Sequence, residues 1–197
     1  PMIHMPFGLA ALAHMRWLNW GYQTEAEPGL MNRRLYWPRG RVLGGSSSIN
    51  AMIYMRGHPQ DYFDWASAAG PDWDWPRVRQ IFKDLEDNQS LTDDHHGQGG
   101  PLTVSDLAQP NPLSRAFVQA GLECQFPVNP DFNGADQTGV GLYQVTQKHG
   151  QRFSAAKAFL DPVRGRANLT VLTGAQVHRV RLDGNRATGV ELRDRVL

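Results

Sequence analysis

Two adjacent glycines, three serines and an apolar run follow one another in GRVLGGSSSINAMIYMRG, residues 40–57, and this stretch constrains the chain more than any other. Gly44 and Gly45 have no Cβ, so a ligand or another chain segment can approach their main chain, and positive φ costs them nothing. Ser46, Ser47 or Ser48 is placed to cap a helix, and INAMIYM is apolar enough to be that helix. Free N–H groups at a helix start beside small residues make an anion site suited to a diphosphate. A tight turn capping a buried helix accounts for the same residues without any ligand. No Lys follows the glycines, as a Walker loop requires, and the spacing is not G-x-G-x-x-G.

The totals narrow the classes. At 197 residues, with 41% apolar and 20% charged side chains, the chain suits one globular domain or pieces of two. Its net charge of +1 gives no general pull toward a polyanion, so nucleic acid is not an expected partner. The single cysteine, Cys124, cannot close an internal disulfide and reads as a small packed hydrophobe in a reducing compartment. No apolar run approaches the ~20 residues that cross a bilayer. MPFGLAALAHM, residues 5–15, reads as a buried helix, with contact to a membrane surface as the alternative.

Periodicity supplies the elements. Tyr62, Trp65, Ala66 and Ala69 keep helical spacing until Gly70 and Pro71 stop it, and Asp74-Trp75-Pro76 starts a second helix with Val78, Ile81, Phe82 and Leu85 on one face. Asn111-Pro112 opens a third, with Leu113, Ala116, Phe117 and Ala120 inward and Gly121 closing it. A fourth helix is expected from Ser154 to the break before Pro162. DDHHGQGGP, residues 93–101, is loop by composition. Beyond Arg166, NLTVLT, AQVHRVRL and RATGVELRD read as strands, with Asp183-Gly184 turning the last two into a hairpin.

The run GRVLGGSSSINAMIYMRG resembles the first signature of the glucose-methanol-choline oxidoreductases, FAD-dependent alcohol-oxidising enzymes. The likeness extends through EPGLMNRRLYWPRG, GHPQDYFDWASAAGPDWDWP, DFNGADQTGVGLYQVTQKHGQRFSAAKAFLDP and NLTVLTGAQVHRV, in wording similar to bacterial choline dehydrogenase-like and aliphatic alcohol dehydrogenases. It implies an α/β fold: part of a Rossmann-like FAD-binding domain with a substrate domain. Residues 1–58 would be the flavin-lid and attachment segment, 59–150 substrate-domain and peripheral helices, and 151–197 a return to FAD-binding strands. It places Val42, Gly44, Gly45 and Ser46, then Asn50, Ala51, Met52 and Ile53, along the flavin and its diphosphate, and Val177 at the adenine end through its backbone. Some members tether FAD through a His just before the Asn; Ile49 stands there, which implies a dissociable FAD.

The implied reaction is oxidation of a primary alcohol, choline-like or aliphatic, to the aldehyde, with electrons passed to a quinone-type acceptor. An oxygen-using oxidase or another FAD enzyme of this fold is the alternative. The family's G-x-G-x-x-G unit and its catalytic His region have no counterpart in these residues. The expectation is therefore an internal portion of a larger enzyme, with no catalytic residue of its own, inactive alone or a non-catalytic piece. A complementary chain or a second copy would then cover its apolar surface. A cytoplasmic location, or peripheral attachment to the inner membrane, goes with that class.

Other features read as structural. His95 and His96 stand in a Gly-rich stretch that suits a solvated loop rather than a metal site. His149 also reads as structural. Arg33, Arg34, Arg39 and Arg41 flank Tyr36 and Trp37, a basic-aromatic group more in keeping with a dinucleotide's diphosphate than with nucleic acid.

Overall fold

The computed structural model describes residues 2–12, 14–193 and 196. They form two units, Pro1–Pro162 and Val163–Leu197. Helices and strands are mixed in the first, which places the chain in the α/β class.

The first unit opens with two 3-10 turns, Met2–His4 and Pro6–Gly8, and a single α-helical turn, α1 (Leu9–Leu12). Leu12 is fully buried while Phe7 is 89% exposed, so among the described residues the helix expected over residues 5–15 is reduced to short turns. Strands β1 (Tyr22–Gln23) and β2 (Tyr36–Trp37) pair antiparallel into a short ribbon. The Arg39 guanidinium lies 5.2 Å from the Trp37 ring, and that of Arg41 lies 4.8 Å from Trp20.

The next segment departs from the sequence expectation. Gly45–Ser48 makes one 3-10 turn, Ile49 and Asn50 complete the turn, and residues 51–56 then run without the expected helix. Ile53 bridges Val145, Tyr54 N donates to Gln144 O and Thr146 N donates to Met52 O. Three local choices defeat the helix. Asn50 turns its side-chain oxygen back onto the Met52 N–H, Met52 takes φ +64°, and the β-branched Ile53 finds a strand partner.

Helix α2 (Pro59–Ala69) is set by a capping box, with His58 Nδ1 accepting from Gln60 N and the Asp61 carboxylate accepting from His58 N. Gly70 ends it at φ +110°. Helix α3 (Trp75–Leu85) starts where the Asp74 carboxylate accepts from Trp75 N. The helices meet through Tyr62, whose ring stacks 5.3 Å from Trp75 and stands edge-on to Phe82 at 6.1 Å. Strands β3 (Glu86–Asn88) and β4 (Leu102–Val104) pair in parallel around the loop of residues 89–101.

Helix α4 (Pro112–Glu123) is capped by Asn111 as expected but runs through Gly121. Its apolar face is not inward: Leu113 is 79% and Phe117 75% exposed. Cys124, at its end, is exposed rather than packed. A hairpin, β5 (Gln147–Lys148) and β6 (Gln151–Arg152), turns on His149 and Gly150 at φ +51° and +72°. In place of the fourth helix, Ala156–Leu160 makes one π-helical turn and Asp161–Val163 a 3-10 turn.

The second unit is a hairpin of β7 (Val177–Asp183) and β8 (Arg186–Leu192), closed at Gly184 with φ +57°. NLTVLT, residues 168–173, is not a strand: it has no ladder partner among the described residues, and without one its β-branched side chains have nothing to pack against. No helix of the described residues is long and apolar enough to cross a membrane.

Candidate functional site

The two tandem glycines do different things. A Cβ on Gly44 would stand 2.6 Å from Ser48 Oγ and 3.2 Å from Ala156 N, so this glycine lets the turn pack against the segment after β6. Gly45, at φ +55°, has nothing within 4 Å of a Cβ and faces open space. Gly40 beside them has no room for a Cβ, which would collide with the Gly45 main chain. The turn thus packs on one side and offers bare backbone on the other.

All three serine hydroxyl oxygens bond to the chain itself. Ser46 Oγ accepts from Gly40 N at 3.2 Å, and Ser48 Oγ donates to Leu43 O at 2.8 Å. Ser47 Oγ donates to Gly44 O at 2.6 Å and accepts from Ala155 N at 2.9 Å. They cap no helix, contrary to the sequence expectation; they fasten the turn, with the hydrogens of Ser47 and Ser48 spent on backbone carbonyls while exposed Ser46, whose oxygen only accepts, keeps its O–H to offer outward.

Beneath the turn lies Arg152, only 1% exposed. Its Nε donates to Ile3 O at 2.9 Å, and its Nη1 donates to Ser47 O at 3.1 Å and Asn50 Oδ1 at 2.9 Å. Nη2 is buried without a partner. Burial pushes this guanidinium below its ordinary pKa. A buried cation facing only neutral oxygens is an unbalanced charge, a costly arrangement unless an anion comes near.

Val42, Gly44, Gly45 and Ser46 therefore share one turn, and Asn50 to Ile53 continue from it, with Met52 buried and Asn50, Ala51 and Ile53 exposed. Ala51 and Ile53 border an open apolar hollow of about 570 Å³ with Leu113, Phe117, Phe132 and Tyr143. No carboxylate lines it. Val177 belongs to the other unit, where it opens β7 half-exposed.

A buried charged cluster anchors the far end of residues 51–56. Arg56 Nη2 donates to Glu86 Oε2 at 2.7 Å, Arg56 Nη1 to His95 O at 2.7 Å, and Arg56 N to Asn133 Oδ1 at 2.8 Å. His96 Nδ1 stands 3.1 Å from Glu86 Oε1 and its Nε2 2.9 Å from Asp131 Oδ2. His96 is 4% exposed, so the solvated-loop reading of this residue is corrected: the loop folds its imidazole between two carboxylates. Burial opposes charge on the ring, but the hydrogen bonds to Glu86 and Asp131 outweigh it and raise its pKa. Burial likewise opposes charge on Glu86, yet hydrogen bonds from His96, Gly97 N and Asn88, with Arg56 adjacent, hold it below the usual carboxylate range. Asp93, His96 and Asp131 gather their ligand-type atoms within 4.8 Å, but Asp93 Oδ1 already accepts from His95 N and His96 N.

Arg152, Arg56, Glu86 and Asp131 carry no weight in the sequence reading. The available signal was Glu86 and Asn88 at strand alternation, two polar side chains on one face of a short β segment.

A family model described as GMC oxidoreductase matches residues 8–196. An alcohol dehydrogenase [acceptor] of Pseudomonas putida is 53% identical over 191 residues, 96% of this chain and 35% of that protein. An oxygen-dependent choline dehydrogenase of Rhizobium etli is 42% identical over 192 residues, 98% of this chain and 35% of the relative. The chain thus spans about a third of the length of these curated relatives. Among solved structures, pyridoxine 4-oxidase from Mesorbium loti superposes with a TM-score of 0.90 at 40% identity, covering 98% of this chain and 38% of the other.

Proposed function

Because the chain belongs to the GMC oxidoreductases, we propose that it holds FAD non-covalently and serves the oxidation of a primary alcohol to its aldehyde. When bound, FAD supplies the hydride acceptor, and a quinone-type carrier takes the electrons onward.

The residues fit that cofactor. Gly45 offers bare main chain to a diphosphate, and Arg152 leaves positive charge unbalanced beside it. Asn50 projects from the same turn, Val42, Ala51 and Ile53 supply apolar contact along a flat ring, and buried Met52 backs that surface. Ile49, 4% exposed, stands where a tethering His would be and offers no atom for a covalent link. The packing of Gly44 against Ala156, and of Ser47 against Ala155, supports counting residues 1–58 and the start of 151–197 as parts of one flavin-holding body. Residues 59–150, with α2 to α4, then serve the substrate side.

The hollow beside Ala51 and Ile53 bears on substrate choice. Its Leu and Val side chains suit an aliphatic chain, while Phe117, Phe132 and Tyr143 give the aromatic surface that a quaternary ammonium asks for, so the alcohol is choline-like or aliphatic.

The single observation carrying the reading is the open main chain at Gly45, in a turn held by its own serines above the buried, unbalanced Arg152. Its test is anaerobic bleaching of flavin absorbance in the full-length holoenzyme by 1-octanol and by choline. Bleaching by octanol or by choline is expected, with reoxidation by a quinone faster than by oxygen. A protein that takes up no FAD, or is bleached by neither alcohol, refutes the reading. Release of all flavin by acid or denaturant is expected, and flavin left on the polypeptide refutes the non-covalent site.

A further inference from the structure

Asn50 Oδ1 accepts from two donors at once, Met52 N at 3.0 Å and Arg152 Nη1 at 2.9 Å. Both neighbours are donors, so the amide must face them with its oxygen, and its NH2 group is turned the other way. Asn50 is exposed, and its Nδ2 has no partner among the described residues. Arg152 is therefore more than a brace. It fixes which face of the Asn50 amide looks outward, and it does so from a position 1% exposed, with an unpartnered Nη2 and no carboxylate among its contacts.

We propose that Arg152 is a positioning residue of the cofactor site: it locks the Asn50 amide so that its NH2 group faces an anionic oxygen of bound FAD, and its unbalanced charge selects for that anion. The inference rests on the FAD reading above. Arg152 itself need not touch the cofactor, because its only route to it is through Asn50 and through the field of a buried charge.

The test is a double-mutant cycle in the full-length holoenzyme, with Asn50→Ala, Arg152→Gln and the double variant. FAD dissociation constants are read from quenching of flavin fluorescence on titration with apoprotein. Each single substitution is expected to weaken FAD about tenfold. The double variant should be no weaker than the worse single one, because both remove the same oriented donor. If Arg152→Gln does not fold, Arg152→Lys closes the cycle: it keeps the charge but cannot hold Ile3 O, Ser47 O and Asn50 Oδ1 in one fork. The reduction potential names the anion. An unchanged potential in the Arg152 variant assigns the diphosphate, and a more negative one assigns the reduced flavin ring. Unaltered FAD affinity in a folded Arg152 variant overturns the proposal, as does an additive loss of about a hundredfold in the double variant. A wild-type protein that takes up no FAD refutes the FAD reading instead, so the two failures are distinguishable.

Discussion

Both ring nitrogens of His96 face a carboxylate oxygen, and a neutral imidazole can donate from only one of them. The pairing with Glu86 and Asp131 is complete only when the ring is protonated. Since the pKa of His96 is raised in the folded state, its contribution is full below the ordinary value of 6.5 and is lost as pH rises through the raised one. Glu86 works the other way: its pKa is lowered, so its contribution is present above 4.5 and lost as pH falls through the lowered value. Replacing His96 by Gln is therefore expected to cost most stability between those two ordinary values. The gap in melting temperature to wild type should close as pH rises through the raised pKa of His96. A gap independent of pH would show that His96 is uncharged. Arg56 and Glu86 are 1% and 0% exposed at their side chains, so Arg56→Met takes from a buried carboxylate the cation on its Oε2 and leaves it only His96 on Oε1. About 3–5 kcal/mol is expected to be lost in urea denaturation, and the Arg56→Met/Glu86→Leu double variant should recover most of it. No recovery would locate the loss in the Arg56 contacts to His95 O and Asn133 instead.

The glycine turn separates two roles that the residue type alone cannot. Gly45→Ala meets no atom but must hold φ +55°, a cost of about 1–2 kcal/mol that leaves the fold intact while a methyl intrudes on the cofactor's side. Gly44→Ala adds a collision with Ser48 Oγ and crowding at Ala156 N to its own φ of +87°, and should destabilise more. Urea midpoints should rank wild type above Gly45→Ala above Gly44→Ala, with FAD uptake already impaired in Gly45→Ala. Equal FAD uptake in Gly45→Ala and wild type would mean that the open side of the turn is not where the cofactor lies. The same segment shows how far local pattern reaches. Helices α3 and α4 were legible because each start carries a polar cap with Pro close behind, at Asp74-Trp75-Pro76 and Asn111-Pro112, and α2 because its apolar spacing ends at Gly70-Pro71, signals that need no partner; the His58 capping box that starts α2 was not read. INAMIYM was not legible, since its conformation is decided by Val145 and Gln144, about ninety residues away. The inward face assigned to α4 failed for a related reason. Periodicity shows which residues share a face, not whether anything in the described chain covers it.

At the scale of the whole molecule, charge pairing distinguishes what is legible from what is not. Composition counts 20 basic and 19 acidic side chains and predicts a solvated surface for them, yet Arg56, Glu86 and Arg152 are among the most buried residues of the first unit. No spacing rule announces a buried ion pair, because its members come from separate elements: residues 51–56, β3 and the loop that closes over it. The second unit is the opposite case, a hairpin readable from alternation and a Gly turn yet poorly buried. All seven residues of β7 are exposed, Leu182 by 65%, and the Arg179–Glu191 pair across the strands is exposed as well and so contributes little. A two-stranded ribbon with so little cover is marginal in water. In β3 and β4, by contrast, Glu86, Asn88, Thr103 and Val104 are all at 2% exposure or less. Native-state hydrogen exchange should therefore rank the units, with β7 and β8 amides opening by local fluctuation and β3 and β4 amides exchanging only near global unfolding. Protection of β7 equal to that of β4 would require apolar cover over Val180 and Leu182, which then could not be half or more exposed as they are here.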